Sequence, residues 1–272
     1  MTYDLLSRFY DLENADFTED LDFWVRLAKE CGGPVLELGC GTGRVTQQIA
    51  RAGINVVGLD YSEEMLVLAR AKLNRRPELA ARATLIYGDM QNFDIDVSRL
   101  SFASTADSSR LQTAPTSLHL IIVPFNTFMH LLTTADQLAM LACARKHLGP
   151  GGRLVLDMTN PAPAYADSPH ETLTLERTFT DDVYHLTLQQ FSTLRIDRVD
   201  QIAHIVYHYD ATAADGSLKR TLVPLTLRYT FPAEMKLLLE RSGFKLVHMY
   251  GDYAGSPLDD ESERMIVVAE AV

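Results

Sequence analysis

The apolar positions of this chain change their period along the sequence, and each period predicts one kind of element. Short apolar runs predict strands that are covered on both faces, as in a parallel sheet between helical layers. These runs span residues 34–38, 56–60, 85–90, 118–124 and 152–158. Segments with helical spacing connect them at 43–52, 62–74 and 134–147, and a further helix is predicted over 17–28. Strands that alternate with helices in this way predict an α/β fold with a mostly parallel sheet.

A different pattern follows the fifth run. Residues 171–230 alternate apolar and polar positions, and Asp215-Gly216 is a hairpin turn signal. We therefore predict an antiparallel β insertion of three or four strands after the fifth strand, within a single domain over 1–272. Pro232 opens another helix, and two later apolar runs complete a plan of seven strands.

The connection between the third and fourth strands is long and polar. Residues 94–117 are rich in Ser, Thr, Ala and Asp. We expect residues 97–116 to form a flexible loop insertion at the surface, with a substrate lid as the alternative.

The turn after the first strand carries the clearest chemical signal. Gly39, Gly41 and Gly43 follow the acidic residue Glu37. Glycines allow a tight turn and let a ligand approach the backbone closely. A dinucleotide-binding fingerprint needs a small residue three positions after the second glycine, and Arg44 stands there instead.

This pattern resembles the first signature of class I S-adenosylmethionine (SAM)-dependent methyltransferases. Asp60 ends the second strand, where the family has an acid that binds the ribose of SAM. Asp89 matches the family residue that accepts from the adenine amino group, and residues 148–157 match the turn into the fifth strand. The resemblance implies a Rossmann-like sheet of seven strands, SAM as cofactor, S-adenosylhomocysteine as product, and no metal. It places the following residues at the cofactor: Glu37, Gly39, Cys40, Gly41, Gly43, Asp60, Tyr61, Met65, Gly88, Asp89, Met90 and Pro124.

The acceptor side is expected at the carboxyl ends of the fourth and fifth strands. Residues 126–131 read Asn-Thr-Phe-Met-His-Leu. They resemble the Asn-Ser-Phe-x-His-Leu segment of glycine and sarcosine N-methyltransferases, and they lack the Asn/Asp-Pro-Pro-Tyr/Phe motif of DNA adenine methyltransferases. His130, Asn126 and Tyr10 are therefore the candidate catalytic residues, although local hydrogen bonding or packing would also explain them. The ordinary pKa of histidine would suit a base near neutral pH.

Three further features leave alternatives open. The β insertion resembles the sheet subdomain of amino-sugar N-methyltransferases, which implies a roof over the acceptor or a homodimer contact. Arg44 is expected at the surface, with carboxylate binding as the alternative. Tyr253 and Arg264 are candidate contacts of the acceptor.

Composition narrows the class of protein. The chain has 272 residues, of which 47% are hydrophobic, and this is enough for a sizeable core. Its net charge of −11 argues against nucleic acid as a partner. The three cysteines lack metal-ligand spacing, and His204 and His208 have no third ligand, so we expect no metal. Without a leader or a membrane-spanning apolar run, the sequence predicts a cytoplasmic protein with no membrane partner.

The sequence thus predicts methyl transfer from SAM to a small molecule, most simply at an amine nitrogen. The first alternative is O-methylation of a small hydroxylated acceptor, for which His130 would be essential as the base. The second is a SAM-binding module without catalysis. Aminopropyl transfer is disfavoured, because no cluster of acids stands beside Pro124.

Overall fold

Two β-sheets and the helices packed on them make up the part of the chain that the computed structural model describes. This part comprises residues 2–100, 117–165, 171–181 and 186–272. Its strands are β1 (Val35–Leu38), β2 (Val56–Asp60), β3 (Ala83–Tyr87), β4 (Leu118–Val123), β5 (Leu148–Thr159), β6 (Thr174–Asp181), β7 (Leu186–Asp197), β8 (Ile202–Thr212), β9 (Leu218–Arg228), β10 (Phe244–Tyr250) and β11 (Arg264–Ala271). Its α-helices are α1 (Thr2–Glu13), α2 (Leu21–Cys31), α3 (Arg44–Arg51), α4 (Glu63–Asn74), α5 (Pro77–Ala80), α6 (Thr134–His147), α7 (Pro161–Tyr165) and α8 (Pro232–Arg241).

The larger sheet has seven strands in the order β10-β11-β5-β4-β1-β2-β3. The pairs formed among β1 to β5 are parallel, whereas β11 runs antiparallel to both β5 and β10. This confirms the predicted α/β fold with a mostly parallel sheet. The strand order reverses between β1 and β4, and open α/β sheets bind ligands outside the carboxyl ends of their strands at such a point.

Each face of this sheet is covered by apolar side chains from helices. On one face, Trp24 of α2 and Ile49 of α3 are fully buried against strand residues. On the other, Met140 of α6 and Leu239 of α8 are fully buried in a second cluster. A strand covered on both faces must be apolar throughout, which explains the uninterrupted apolar runs of the sequence.

Local capping fixes where two of these helices begin. The Ser62 hydroxyl accepts from the backbone N–H of Met65 at the start of α4, at 3.3 Å. Thr133 and Asp136 form a reciprocal capping box at the start of α6. Such caps satisfy backbone donors that have no partner inside the helix.

The smaller sheet is antiparallel, with the order β6-β7-β8-β9, and it confirms the predicted antiparallel strands after β5. One face of this sheet packs inward. Its Leu188, Tyr209 and Val223 bury against Phe9 of α1, while Leu227 joins the core of the larger sheet. The inner face of the smaller sheet therefore contacts both α1 and the core of the larger sheet.

Three boundaries differ from the sequence-based expectation. The helix predicted over 17–28 begins later, as α2, and a separate helix α1 precedes it. Strand β5 begins at Leu148 and not at residue 152, because the residues on both sides of the Gly-Pro-Gly-Gly segment pair with β4: Leu148 with Leu118, and Arg153 with Leu120. Val97, at the start of the predicted 97–116 insertion, is buried in the core, with 5% of its surface exposed. Residues 101–116 lie outside the described residues.

Candidate active site

A cavity of about 530 Å³ opens at the carboxyl ends of β1, β2, β3 and β4. Loops after these strands form one end of it, while α1 and the inner face of the antiparallel sheet form the other. Eight of the residues predicted at the cofactor line it: Gly39, Gly41, Asp60, Tyr61, Met65, Gly88, Asp89 and Met90. All three candidate catalytic residues, Tyr10, Asn126 and His130, line it as well. The fold therefore brings both predicted groups together at one place.

The glycine turn after β1 is shaped by close packing. The backbone N–H groups of Gly39 and Cys40 both donate to the carbonyl of Leu59, at 2.8 and 3.0 Å. Gly39 has a positive φ of 67°. A Cβ atom on it would lie 2.3 Å from Cγ2 of Thr127, so only glycine fits between this turn and the 3₁₀ helix after β4.

Asp60 stands at the end of β2 and faces the cavity. Its two carboxylate oxygens accept from the backbone N–H of Gly41 at 2.7 Å and of Ser62 at 2.8 Å. Burial raises the pKa of this carboxyl, and the backbone hydrogen bonds oppose the rise. Each oxygen retains a further lone pair for a ligand hydroxyl.

Residues at the ends of β2 and β3 form the neighbouring wall of the cavity. The rings of Tyr61 and Tyr87 stack with their centroids 5.8 Å apart, and both side chains are exposed. One carboxylate oxygen of Asp89 accepts from the backbone N–H of Gln91 at 2.8 Å, and its other oxygen has no hydrogen-bond partner within the described part of the chain. A flat aromatic surface beside a carboxylate acceptor suits a heterocyclic base that carries an amino group.

Four residues predicted at the cofactor do not line the cavity: Glu37, Cys40, Gly43 and Pro124. Glu37 is buried beneath the glycine turn and accepts from the Thr46 hydroxyl at 2.5 Å. Burial raises the pKa of its carboxyl to about 8. The Cys40 side chain is buried, and its sulfur lies where a Cβ on Gly58 would collide. The side chains of Glu37 and Cys40 are therefore packed behind the turn, away from the cavity.

Arg44 is not at the surface as expected. Its guanidinium pairs with both carboxylate oxygens of Asp20, at 2.6 and 2.7 Å, and 15% of its side-chain surface is exposed. The Trp24 indole N–H donates to the same carboxylate at 2.9 Å. The rings of Phe17 and Phe125 flank the guanidinium. The sequence did not predict this ion pair, because Asp20 lies 24 positions before Arg44 and no local pattern connects the two residues.

Tyr10 lies beside this buried ion pair and reaches the cavity from α1. Burial raises the pKa of its phenol to about 12, although the neighbouring Arg44 acts in the opposite direction. The hydroxyl therefore remains protonated at neutral pH and can donate a hydrogen bond into the cavity.

Asp157, on β5, organises the loop after β4. It is fully buried and accepts from the backbone N–H of Phe125 at 2.9 Å and from the Tyr253 hydroxyl at 3.0 Å. Arg264 donates two hydrogen bonds to its other oxygen. Tyr253 and Arg264, which the sequence suggested as acceptor contacts, are thus engaged with Asp157, and neither lines the cavity.

Asn126 and His130 are positioned by this loop. Asn126 has a positive φ of 67° and opens the 3₁₀ helix Thr127–His130. Its side-chain oxygen accepts from the backbone N–H of Thr159 at 2.7 Å, which ties the loop to β5. Burial lowers the pKa of His130 to about 4, so this imidazole is uncharged at neutral pH and does not have the neutral pKa that the sequence suggested.

The far end of the cavity is formed by α1 and the antiparallel sheet. Glu13 and Asn14 reach it from the end of α1, Arg177 from β6, Tyr207 from β8, and Leu225 and Leu227 from β9. The alternation of strand residues puts Tyr207 and Tyr209 on one face, as candidates for the pocket or for an oligomer interface, and the packing of the antiparallel sheet shows that this face meets α1.

Within residues 2–100, 117–165, 171–181 and 186–272, no group of three or more His, Cys, Asp or Glu side chains could hold a metal ion. None of the helices described is both long and apolar enough to cross a membrane.

Comparison with known proteins finds similarity to methyltransferases over most of the chain. The sequence model of the family described as "Methyltransferase domain" matches residues 36–154. The cypemycin N-terminal methyltransferase of Streptomyces sp. is 29% identical over 243 residues, which cover 88% of this chain and 83% of that protein. The structure of the CcbJ methyltransferase from Streptomyces caelestis superposes with a TM-score of 0.73 and 25% identity, and covers 93% of this chain and 95% of its own. A SAM-bound amino pentose methyltransferase from Micromonospora echinaspora superposes with a TM-score of 0.68 and 20% identity, covering 94% and 92%.

Proposed function

We propose that this chain is a SAM-dependent methyltransferase of class I and that it transfers the methyl group to an amine nitrogen of a small acceptor. The observation that carries the choice of nitrogen is the state of His130. It lines the cavity, and burial lowers its pKa to about 4. A base of that pKa removes a proton from a hydroxyl poorly at neutral pH, whereas an amine needs only its free lone pair and correct orientation.

The cavity suits SAM on two observations. The glycine turn lines the cavity and packs too closely on Thr127 for a Cβ atom at Gly39, and the Asp60 carboxylate faces the cavity with acceptor capacity left. We propose that Asp60 accepts hydrogen bonds from the ribose hydroxyls and that Asp89 and Met90 bind the adenine. SAM supplies an activated methyl group on a positively charged sulfur. Glu37, Cys40, Gly43 and Pro124 do not line the cavity, and we propose them as supporting residues of the same cofactor site.

The residues on the acceptor side of the cavity are suited to orienting an acceptor molecule. The protonated phenol of Tyr10 offers one hydrogen-bond donor, and the His130 imidazole lines the cavity as an uncharged ring. Asn126, fixed by Thr159, holds the loop that carries His130 in place. Two similar proteins support the same acceptor class, since one is an N-terminal methyltransferase and the other an amino pentose methyltransferase.

The antiparallel sheet is proposed as the roof of the acceptor pocket and as a homodimer contact. Tyr207, Leu225 and Leu227 on its inner face line the cavity. On the strands of the same sheet, Leu175, Leu218 and Leu222 are between 51% and 57% exposed. Light scattering on wild type and on Leu222→Lys tests the contact, since a charge at its centre would dissociate a dimer. A wild-type monomer at every concentration would contradict it.

The experiment that tests the function is a turnover panel with methyl-labelled SAM. It compares a short peptide that carries a free α-amino group, its N-acetylated form, a nucleotide-linked amino sugar and a phenol. We expect label on nitrogen in the free peptide or the amino sugar, and none in the acetylated peptide. Label on the phenol alone would favour O-methylation. Tight SAM binding with no transfer to any member of a broad panel would favour a module without catalysis.

A further inference from the structure

A carboxylate at the far end of the cavity has no role in the methyl transfer described above. Glu13, the last residue of α1, lines the cavity beside Asn14 and Tyr207. Its two carboxylate oxygens are held by the inner face of the antiparallel sheet. The Gln190 side-chain amide donates to one oxygen at 2.5 Å, and the Tyr209 hydroxyl donates to the other at 2.8 Å.

The groups that hold Glu13 are rigid. Tyr209 is fully buried, and its ring stacks on Phe9 with the centroids 4.0 Å apart. Gln190 is 1% exposed. The same Gln190 amide also donates to the Tyr209 oxygen at 3.0 Å, which closes a ring of three hydrogen bonds. A carboxylate fixed in this way keeps its orientation whether or not a ligand is present.

A count of hydrogen-bond donors in this cluster shows what it lacks. The two N–H groups of Gln190 and the single O–H of Tyr209 are all used within the ring. Hydrogen-bond acceptors remain available, since each Glu13 oxygen accepts one of these hydrogen bonds and can accept another. The side-chain carbonyl oxygen of Gln190 is buried and has no partner among the described residues. The Glu13 carboxylate, which lines the cavity, therefore has acceptor capacity for a ligand that donates hydrogen bonds.

The charge of Glu13 is also uncompensated in the described part of the chain. No ion pair to its carboxylate occurs there. Arg177, the nearby cation, donates instead to the backbone carbonyl of Glu13 at 2.8 Å. The surrounding wall contributes leucines, which raise the strength of any ionic contact by excluding water.

We infer that Glu13 is a specificity-determining residue that binds the amino group of the acceptor, with Tyr209 and Gln190 as its positioning residues. An ammonium group brings both the donors and the positive charge that the cluster lacks. An amine that has lost one proton still has N–H donors, so the same contact orients it when its lone pair faces the methyl group. The inference rests on the proposed function, and it names amines with at least one N–H as the acceptor class.

The test uses two probes of equal shape that differ in charge. Protein saturated with S-adenosylhomocysteine is titrated with cyclohexylammonium and with cyclohexanol at constant ionic strength, and binding is followed by ligand-observed NMR. Charge-assisted hydrogen bonds are about twice as strong as neutral ones, so we expect wild type to prefer the ammonium probe by about ten-fold or more. Glu13→Gln should bring this ratio close to one.

Two variants control the result. Glu19→Gln removes the same charge at an exposed position between α1 and α2, and it should leave the ratio unchanged. Tyr209→Phe keeps the stacked ring but frees one Glu13 oxygen, and it should lower the ratio only partly. Unchanged melting temperatures would show that each variant is folded.

Three outcomes would overturn the inference. They are equal binding of both probes by wild type, a ratio that Glu13→Gln leaves unaltered, and a loss of S-adenosylhomocysteine affinity in Glu13→Gln that matches the loss for the probe. The last result would assign Glu13 to the amino group of the cofactor. Methylation of amines by a protein that fails this test would refute the role of Glu13 and leave the proposed function standing.

Discussion

Replacing Asp60 with alanine tests the cofactor site directly. In the structure, each carboxylate oxygen of Asp60 accepts one backbone N–H, from Gly41 or Ser62, and has capacity for one more hydrogen bond. The ribose of SAM would use that capacity. Hydrogen bonds to a charged acceptor are worth about 1.5–3 kcal/mol. We therefore expect Asp60→Ala to weaken SAM binding roughly ten- to hundred-fold.

The same substitution leaves two backbone N–H groups without their carboxylate partner. Asp60 is only partly buried, so water can replace it, and the loss of stability should be about 1–2 kcal/mol. For a domain of this size that corresponds to a fall in melting temperature of several degrees, at about 2–4 °C per kcal/mol. The variant should therefore be folded at the temperature of the binding assay.

Calorimetric titration with SAM on the folded variant measures the effect. Glu78→Ala, which removes an exposed acid on α5, is the matched control and should bind SAM as wild type does. Wild-type affinity in Asp60→Ala would refute the reasoning, because it would mean that the carboxylate at the end of β2 does not contact the cofactor.

Three further predictions concern stability. Asp20→Asn removes the charge that pairs with the buried Arg44, and it should cost about 3–5 kcal/mol in urea unfolding; a loss below 1 kcal/mol would show that the pair is dispensable. Glu37 has a pKa raised from 4.5 to about 8 by burial, so the folded protein holds a proton there that the unfolded chain releases, and stability should fall as the pH rises between these values. Glu37→Gln should flatten that dependence in melting curves, and an unchanged slope would contradict the burial argument. Val97→Ala should cost about 1–2 kcal/mol in urea unfolding because Val97 is buried, and an unchanged stability would contradict its place in the core.

The sequence predicts those parts of this fold that depend on local pattern. Apolar runs between helical segments predict the parallel strands, since burial on both faces leaves room for few polar residues. The spacing of Gly39, Gly41 and Asp60 predicts one end of the cavity, because the strand ends that carry them are adjacent in a doubly wound sheet.

The remaining features depend on contacts between distant segments, which no local pattern records. Arg44, at the start of α3, pairs with Asp20, which lies just before α2. Arg264 of β11 pairs with Asp157 of the adjacent strand β5. Glu13 meets Tyr209 over 196 positions of sequence. Burial also shifts pKa values in a way that the sequence does not reveal, as it does for the pKa of His130.

The central claim is that a neutral His130 orients an amine and does not act as a strong base. The direct measurement is the pH dependence of kcat/KM for wild type and His130→Asn, with the amine acceptor identified by the turnover panel. Since burial lowers the pKa of His130 to about 4, the wild-type rate should follow the ionisation of the acceptor amine, with no limb near the ordinary histidine pKa. His130→Asn should be slower by about ten-fold with a profile of the same shape. A loss of roughly 10²–10⁴-fold, as is typical when a general base is removed, would contradict the account, and so would full activity of the variant at every pH.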